Sequence, residues 1–423
     1  VSVPARSAAP GAVFALVVLT LMNMLNYVDR WVPSAVNELL KKDLGLSDAE
    51  TGLPLTAFIV VYMLASPVFG ALAERHNRRV LIALGVASWS LATAAAAFAT
   101  GFKTLLVARA AVGIGEAAYA TLAPAILADF FPPERRNRVF TLFYVATPVG
   151  SAIGFVLGGV LGEAFGWRTA FLAVGLPGLL VAALALLMKD PVRGAFDERP
   201  PEPVSWGLAL RELAKNRTYV ITVAGYTAVT FATGGIAHWM PSFLDRVRGM
   251  DPASAASVVG VAAVIGGLAG TTLGGFVADR IASKTRQPYL AVSGLAMIPA
   301  VILCSVALFV AHAPPVIIGF MIAAQVFLWA YNSPVNALLV NTVDPRLRAR
   351  AFGLSILCIH LLGDVLSPPL IGVVSDATGN LEGALVMVPI AVALGGLIWL
   401  VGWRLLPSQA EVSSPDEARR ASA

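Results

Sequence analysis

The 423-residue chain is 57% hydrophobic and only 13% charged, a balance that a water-soluble globule of this size has no interior large enough to hide. Its net charge of +5 is spread over many short loops, which excludes a basic nucleic-acid-binding surface as the reason for it. Apolar stretches recur along the whole length, each about the ~20 residues a helix needs to cross the hydrocarbon core. The chain therefore reads as an all-α integral membrane protein with twelve transmembrane helices.

Span one is expected at 12 to 36 and carries LNYVDRW, where Asp29 and Arg30 stand side by side late in an apolar run. A charge near the bilayer centre costs roughly 2.5 to 3.5 kcal/mol on insertion scales, so such groups face a wet cavity or an ionic partner. The two neighbours partly offset each other. At ~100° per residue Asn23, Asn26 and Arg30 share one helix face, with Asp29 on its flank. The run is too long for a signal-peptide core and lacks a small-residue cleavage site behind it, so it is expected to remain as the first helix. Span two, 51 to 73, runs into GALAERHNRR, Gly70 to Arg79, and span three follows at 80 to 100. Span four, 104 to 128, holds Arg109 and Glu116, seven residues apart and so nearly on one face, roughly 10 Å apart along the axis. Span five, 138 to 163, has Gly150, Gly154 and Gly158 at four-residue spacing, a surface for close helix packing. Span six is placed at 169 to 188.

Residues 189 to 217 contain six Lys or Arg with Pro191, Pro200, Pro201 and Pro203, and read as a solvated linker between an N-terminal bundle, 1 to 188, and a C-terminal bundle, 218 to 423. The later spans are expected at 218 to 244, 254 to 278, 288 to 311, 314 to 342, 351 to 374 and 382 to 405. Span seven carries His238 beside Trp239, span eight ends in Asp279 and Arg280, and span eleven holds His360 with Asp364 four residues on, within reach of a hydrogen bond along the helix. For that pair, mutual satisfaction inside the bundle is as good a reading as a substrate role. Cys304 and Cys358 both fall within spans, which leaves neither a disulfide nor a metal site to expect. No cofactor is expected either: there is no G-x-x-x-x-G-K-[ST] for an ATP motor and no H-E-x-x-H.

Lys and Arg place the loops. The connections after even-numbered spans, with the linker, hold eighteen, and the opposite side six. The positive-inside rule puts the linker and both termini in the cytoplasm. An internal repeat then divides the chain. YATLAPAILADFFPPERRNRVF from Tyr119 lies over YNSPVNALLVNTVDPRLRARAF from Tyr331 without a gap, DRWVPS from Asp29 over AHWMPS from Ala237, and GALAER from Gly70 over GFVADR from Gly275. Spans one, two, four and five thus correspond to seven, eight, ten and eleven, which gives two six-helix halves of the same orientation.

Twelve spans in two parallel halves, with G-x-x-x-[DE]-R after spans two and eight, resemble the major facilitator superfamily, with Glu74 where that signature more often has Asp. NYVDR in span one, RAAVGIGEAAYATLAPAILADFF in span four, FYVATPVGSAIGF in span five and HLLGDVLSPPLIGVVSD in span eleven look like its spinster branch. The resemblance implies alternating access, in which two halves rock about a central site. It also implies a lipid-like substrate, a lysophospholipid or sphingoid-type amphiphile, and makes Asp29, Arg30, Arg109 and Glu116 the central polar set.

A carboxylate beside a guanidinium keeps its charge, and one that loses that partner in a dry site takes up a proton. Asp29 and Glu116 are therefore the proton-coupling candidates. Asn26, Arg30, Arg109, His360 and Asp364 are the candidates for holding substrate, since arginine stays charged and grips anionic groups. Gly70, Glu74, Arg75, Arg78, Arg79, Asp279 and Arg280 are the gating candidates, expected to latch helix ends. The function expected is a proton-coupled secondary transporter of such an amphiphile, a monomer in a bacterial inner membrane. A proton-coupled symporter of a small organic anion is the alternative within transport, and a membrane-embedded enzyme or lipid-sensing receptor the alternative outside it.

Overall fold

The structure, a computed structural model, describes residues 8–193, 205–281, 284–344 and 346–406. Among the described residues the secondary structure is helical and contains no strand. Twelve helices among the described residues are long and apolar enough to cross a membrane: Ala12–Ala35, Asp48–Arg75, Arg78–Ala96, Phe102–Phe130, Arg138–Phe165, Trp167–Leu187, Arg217–Arg246, Pro252–Arg280, Pro288–Val310, Pro314–Leu339, Arg350–Thr378 and Leu381–Leu405. These are spans one to twelve. Hydropathy locates each one, and capping chemistry explains where the ends differ. Span two starts three residues before its apolar run because Ser47 accepts a hydrogen bond from the Glu50 amide at 3.2 Å while Glu50 accepts one from the Ser47 amide at 2.9 Å. Between spans one and two lies a short helix, Asn37–Leu44, that Gly45 ends with φ of 62°, a left-handed conformation that glycine adopts without penalty.

Chain contacts group the described residues into two compact units, those of Val1–Pro200 with Met240–Gly260, and those of Pro201–Trp239 with Val261–Ala423. Glycines set how closely the helices approach within each. In the first unit span five packs along span one: a Cβ on Gly154 would stand 2.5 Å from the Val28 carbonyl oxygen, and one on Gly158 2.7 Å from Ala35 Cβ. Gly113 of span four likewise lies against the backbone of Phe58 in span two. The second unit repeats these pairings. Gly234 of span seven abuts Asp364 of span eleven, and Gly270 and Gly274 of span eight abut Val326 and Ala330 of span ten. The repeat in the sequence is thus a repeat of helix pairs, spans one with five and two with four matching seven with eleven and eight with ten.

Two local features depart from expectation. The linker reads as solvated chain, but residues 206 to 215 form a helix, Trp206–Lys215, whose apolar spacing is helical and whose Ser205 hydroxyl caps the Leu208 amide at 3.3 Å. Pro200, Pro201, Pro203 and Arg199 of the linker, and both chain termini, lie outside the described residues. Span eleven is not a continuous α-helix. It widens into one π-helical turn at His360–Asp364, just ahead of Pro368 and Pro369, which lack the amides that would bond the carbonyls of Asp364 and Val365.

Candidate functional site

In the first unit four ionisable side chains meet in the interior of the helix bundle. Span one supplies Asp29 and Arg30, and span four supplies Arg109 and Glu116. Arg109 and Glu116 are completely covered, at 1% and 0% exposure, and Asp29 is as deeply buried. The Arg30 side chain keeps 19% of its surface exposed. The sequence sets Asp29 beside Arg30, where the two partly offset each other, and Arg109 and Glu116 on one face of span four. Asp29 and Arg30 do not bond to each other, because adjacent residues on a helix point ~100° apart. The pairs run between helices: Arg109 Nη1 donates to Asp29 Oδ1 at 3.1 Å, and Arg30 Nη2 donates to Glu116 Oε2 at 2.8 Å.

Around this crossed set the helices provide further support that carries no sequence signal. Thr93 of span three donates its hydroxyl to the second oxygen of Asp29, so that carboxylate is held by two helices. The Arg30 guanidinium lies 4.8 Å from the ring centre of Tyr27 and 5.0 Å from that of Phe58, and Arg109 lies 5.5 Å from Phe58. Aromatic faces attract a cation while offering it no counter-charge. They hold the arginines in place without using up their N–H groups. Arg30 Nε, Arg109 Nη2, Glu116 Oε1 and Asn26 Nδ2 are each buried with no hydrogen-bond partner among the described residues. A buried donor or acceptor left unmade costs about 1–3 kcal/mol, more for a charged one, and four such groups surround one ion-pair set. Asn23, by contrast, is satisfied, donating to the Phe143 carbonyl at 2.9 Å.

In the second unit His360 and Asp364 form a pair of their own, His360 Nδ1 lying 2.9 Å from Asp364 Oδ2, both part-buried. The π-turn joins them, as expected from their spacing, and sets Asp364 against Gly234 of span seven. His238 is buried and meets Trp239 edge-on at 4.9 Å.

The gating candidates divide. Gly70, Glu74 and Arg75 close span two; Glu74 and Arg75 are exposed, and Glu74 is engaged through its backbone carbonyl, by Arg193, rather than its carboxylate. Arg78 is the buried one. It donates to Asp129 at the end of span four at 2.5 Å, to Asp190 after span six at 2.9 Å and to the Pro191 carbonyl at 2.7 Å. Arg79 reaches the Met188 carbonyl at 2.9 Å. Asp129 and Asp190, neither singled out by the sequence, complete this hub because each sits one residue or two beyond an apolar run, where a carboxylate carries no motif. In the second copy Asp279 and Arg280 are exposed, with no ion pair among the described residues. At the other end of the first unit Arg246 donates to Asp48 at 2.8 Å and to Glu38 at 2.7 Å, and Lys41 adds a contact to Asp48 at 2.5 Å.

The Major Facilitator Superfamily model matches residues 19–363. Protein spinster homolog 1 of Homo sapiens is 35% identical over 404 residues, covering 88% of this chain and 74% of that protein. This chain belongs to the spinster family of the Major Facilitator Superfamily. Protein spinster homolog 3 of Danio rerio is similarly related, at 31% identity over 92% of this chain and 84% of its own. Among solved structures, a bacterial homologue of the human lysosomal transporter spinster, in an inward-facing and unoccupied conformation, superposes with a TM-score of 0.83 at 24% identity, covering 94% of this chain and 96% of that one. A D-xylose-proton symporter shares the fold at a TM-score of 0.74 and 16% identity. The all-α, twelve-span fold expected from the sequence is therefore the superfamily's, and this spinster-family member is a multi-pass membrane transporter rather than an enzyme. The crossed pairs lie inside the matched region.

Proposed function

We propose that the protein is a proton-coupled secondary transporter of an amphiphile with an anionic head group, of the lysophospholipid or sphingoid-phosphate type, working by alternating access. The observation that carries this reading is the crossed ion-pair set with spare buried N–H groups on both arginines. Arg30 and Arg109 hold the head group, since a guanidinium already oriented by aromatic rings and one carboxylate still has donors aimed elsewhere. When an anion takes over an arginine, the released carboxylate is left in a dry site and takes up a proton. Glu116, with no hydrogen-bond partner besides Arg30 among the described residues, is the residue for which that exchange is simplest, and Asp29 the second.

On this reading Asn26, His360 and Asp364 complete the substrate contacts. The hub at Arg78 and Arg79, with Gly70, Glu74, Arg75, Asp279 and Arg280, tunes the balance between access states. The carrier works as a monomer in a bacterial inner membrane, and the bias of Lys and Arg toward the linker side supports a cytoplasmic linker and cytoplasmic termini. The test is flux in proteoliposomes across a panel of lysolipids, sphingoid phosphates and small organic anions, with and without a pH gradient. Uptake of the lipid phosphates that the gradient accelerates is the expected result. Flux of a small carboxylate alone would assign the site to an organic anion, and flux indifferent to the gradient would remove the proton.

A further inference from the structure

The helix Trp206–Lys215 offers a surface that transport does not use. At ~100° per residue Ala209 and Leu213 fall on one stripe, and both are buried. Leu213 packs with Tyr219, Val223, Leu339 and Val343 of the same unit. Beside that stripe Trp206, Leu210 and Ala214 form a second apolar arc. Much of it is open: Trp206 is 58% exposed and Leu210 46%.

Position decides what should cover it. Only Asn216 separates this helix from span seven; its side chain caps the Tyr219 amide at 3.0 Å, and Val220, one residue further, is an exposed apolar residue of that membrane span. The apolar arc is therefore continuous in the chain with a bilayer-facing surface. Cations frame it. The Arg350 guanidinium lies 5.2 Å from the ring centre of Trp206, and neither Arg350, Arg211 nor Arg217 forms an ion pair among the described residues. Glu212 pairs with Lys215 at 3.4 Å on the polar side. Tryptophan at one end, leucine next to it and unpaired arginines at the rim make an arrangement suited to the head-group layer of a bilayer rather than to open water.

We infer that the Trp206–Lys215 helix lies in the membrane interface on the linker side, with Trp206 and Leu210 among the upper acyl chains and Arg211, Arg217 and Arg350 holding the phosphates of anionic phospholipids. Clusters of Lys and Arg next to a membrane span attract such lipids, and an aromatic ring anchors at that depth.

The test uses the full chain in nanodiscs of phosphatidylcholine, with or without phosphatidylglycerol. A spin label is placed at Leu210→Cys or, for the polar side, at Glu212→Cys, after Cys304→Ser and Cys358→Ser. Power saturation then compares access to oxygen, which concentrates in the bilayer, with access to a water-soluble nickel chelate. The expected result is an oxygen-to-nickel ratio severalfold higher at 210 than at 212, raised further by phosphatidylglycerol. Replacing Arg211, Arg217 and Arg350 together with Gln should abolish the phosphatidylglycerol increment and keep the 210-to-212 difference. A label at 210 as open to nickel as that at 212 would put the helix in water, and one closed to both reagents would show that protein covers it. Either outcome overturns the interfacial placement. An unchanged ratio in the two lipid mixtures overturns the anionic-lipid site.

Discussion

At the level of single residues, a charged side chain in an apolar helix is legible from the sequence, but its partner is not. Asp29, Arg30, Arg109 and Glu116 announce themselves because no other side chain in 12 to 36 or 104 to 128, where spans one and four are expected, carries a formal charge at neutral pH. The pairing depends on how the two helices are rotated about their axes, which is set by contacts distant in sequence, such as Gly113 on Phe58 and Gly154 on Val28. Thr93 is hidden for the same reason: a lone threonine in an alanine-rich helix signals nothing until Asp29 is beside it. The proposal that Glu116 carries the proton has a direct consequence. Glu116→Gln imitates the protonated side chain, so spin-label distances across the helix ends should show the low-pH distribution at every pH, whereas the wild type should move toward it as pH falls. A variant that retains the whole wild-type response would shift attention to Asp29. For the arginines, Arg30→Gln and Arg109→Gln should each weaken binding of a phosphate-bearing lysolipid by about 10-fold or more, the ~1.5–3 kcal/mol of a hydrogen bond to a charged group. Binding of the dephosphorylated analogue should fall far less. Equal losses for the two ligands would mean that these residues support structure instead.

At the level of elements, length and hydropathy locate all twelve helices, because twenty apolar residues have few alternatives to a membrane span. What hydropathy cannot supply is the hydrogen bonding at the ends, as at Ser47, or inside span eleven, where two prolines demand a wider turn. The linker helix is masked by the charges and prolines around it, although Ala209 and Leu213 are four residues apart, as a helix requires. The glycine ladder of span five is the packing surface that its four-residue spacing implies. It predicts that Gly154→Val, which must push against the Val28 carbonyl rather than a pliable side chain, lowers stability by roughly 1–3 kcal/mol, toward the upper end of that range. Thermal unfolding in detergent would measure it. Gly267, where a Cβ would meet nothing within 4 Å, is the control on span eight and should tolerate alanine.

At the level of the molecule, the internal repeat reveals the two halves by itself. Arg78 ties the loop after span two to Asp129 and Asp190, whereas Asp279 and Arg280 after span eight are exposed, as are Glu74 and Arg75, which they match in the repeat. Breaking a buried pair by removing one partner costs about 3–5 kcal/mol, less where the remaining carboxylate regains water, as Asp190 does. Arg78→Gln should therefore lower the unfolding temperature clearly. Asp279→Asn should stay within about 0.5 kcal/mol of the parent, as surface changes do. Comparable losses in the two variants would mean that Asp279 is anchored as firmly as Arg78.

The proposed role of the crossed pairs also has a consequence for how the carrier answers to membrane voltage. With both carboxylates ionised, Asp29, Glu116, Arg30 and Arg109 sum to zero, each charge within hydrogen-bond reach of its opposite. Carrying one uncompensated charge through a potential of 100 mV is worth about 2.3 kcal/mol, which would make reorientation of a charged empty carrier strongly uphill in one direction. A neutral set has no such preference. On the proposed mechanism, one proton taken up together with one monoanionic head group would leave the sum over these four side chains at zero, so this set would add no net charge to either the loaded or the empty carrier. In proteoliposomes, clamping the potential with potassium and valinomycin should then leave the rate unchanged for a monoanion and alter it for a dianion, making electrical silence a property that four side chains in one half of the chain provide.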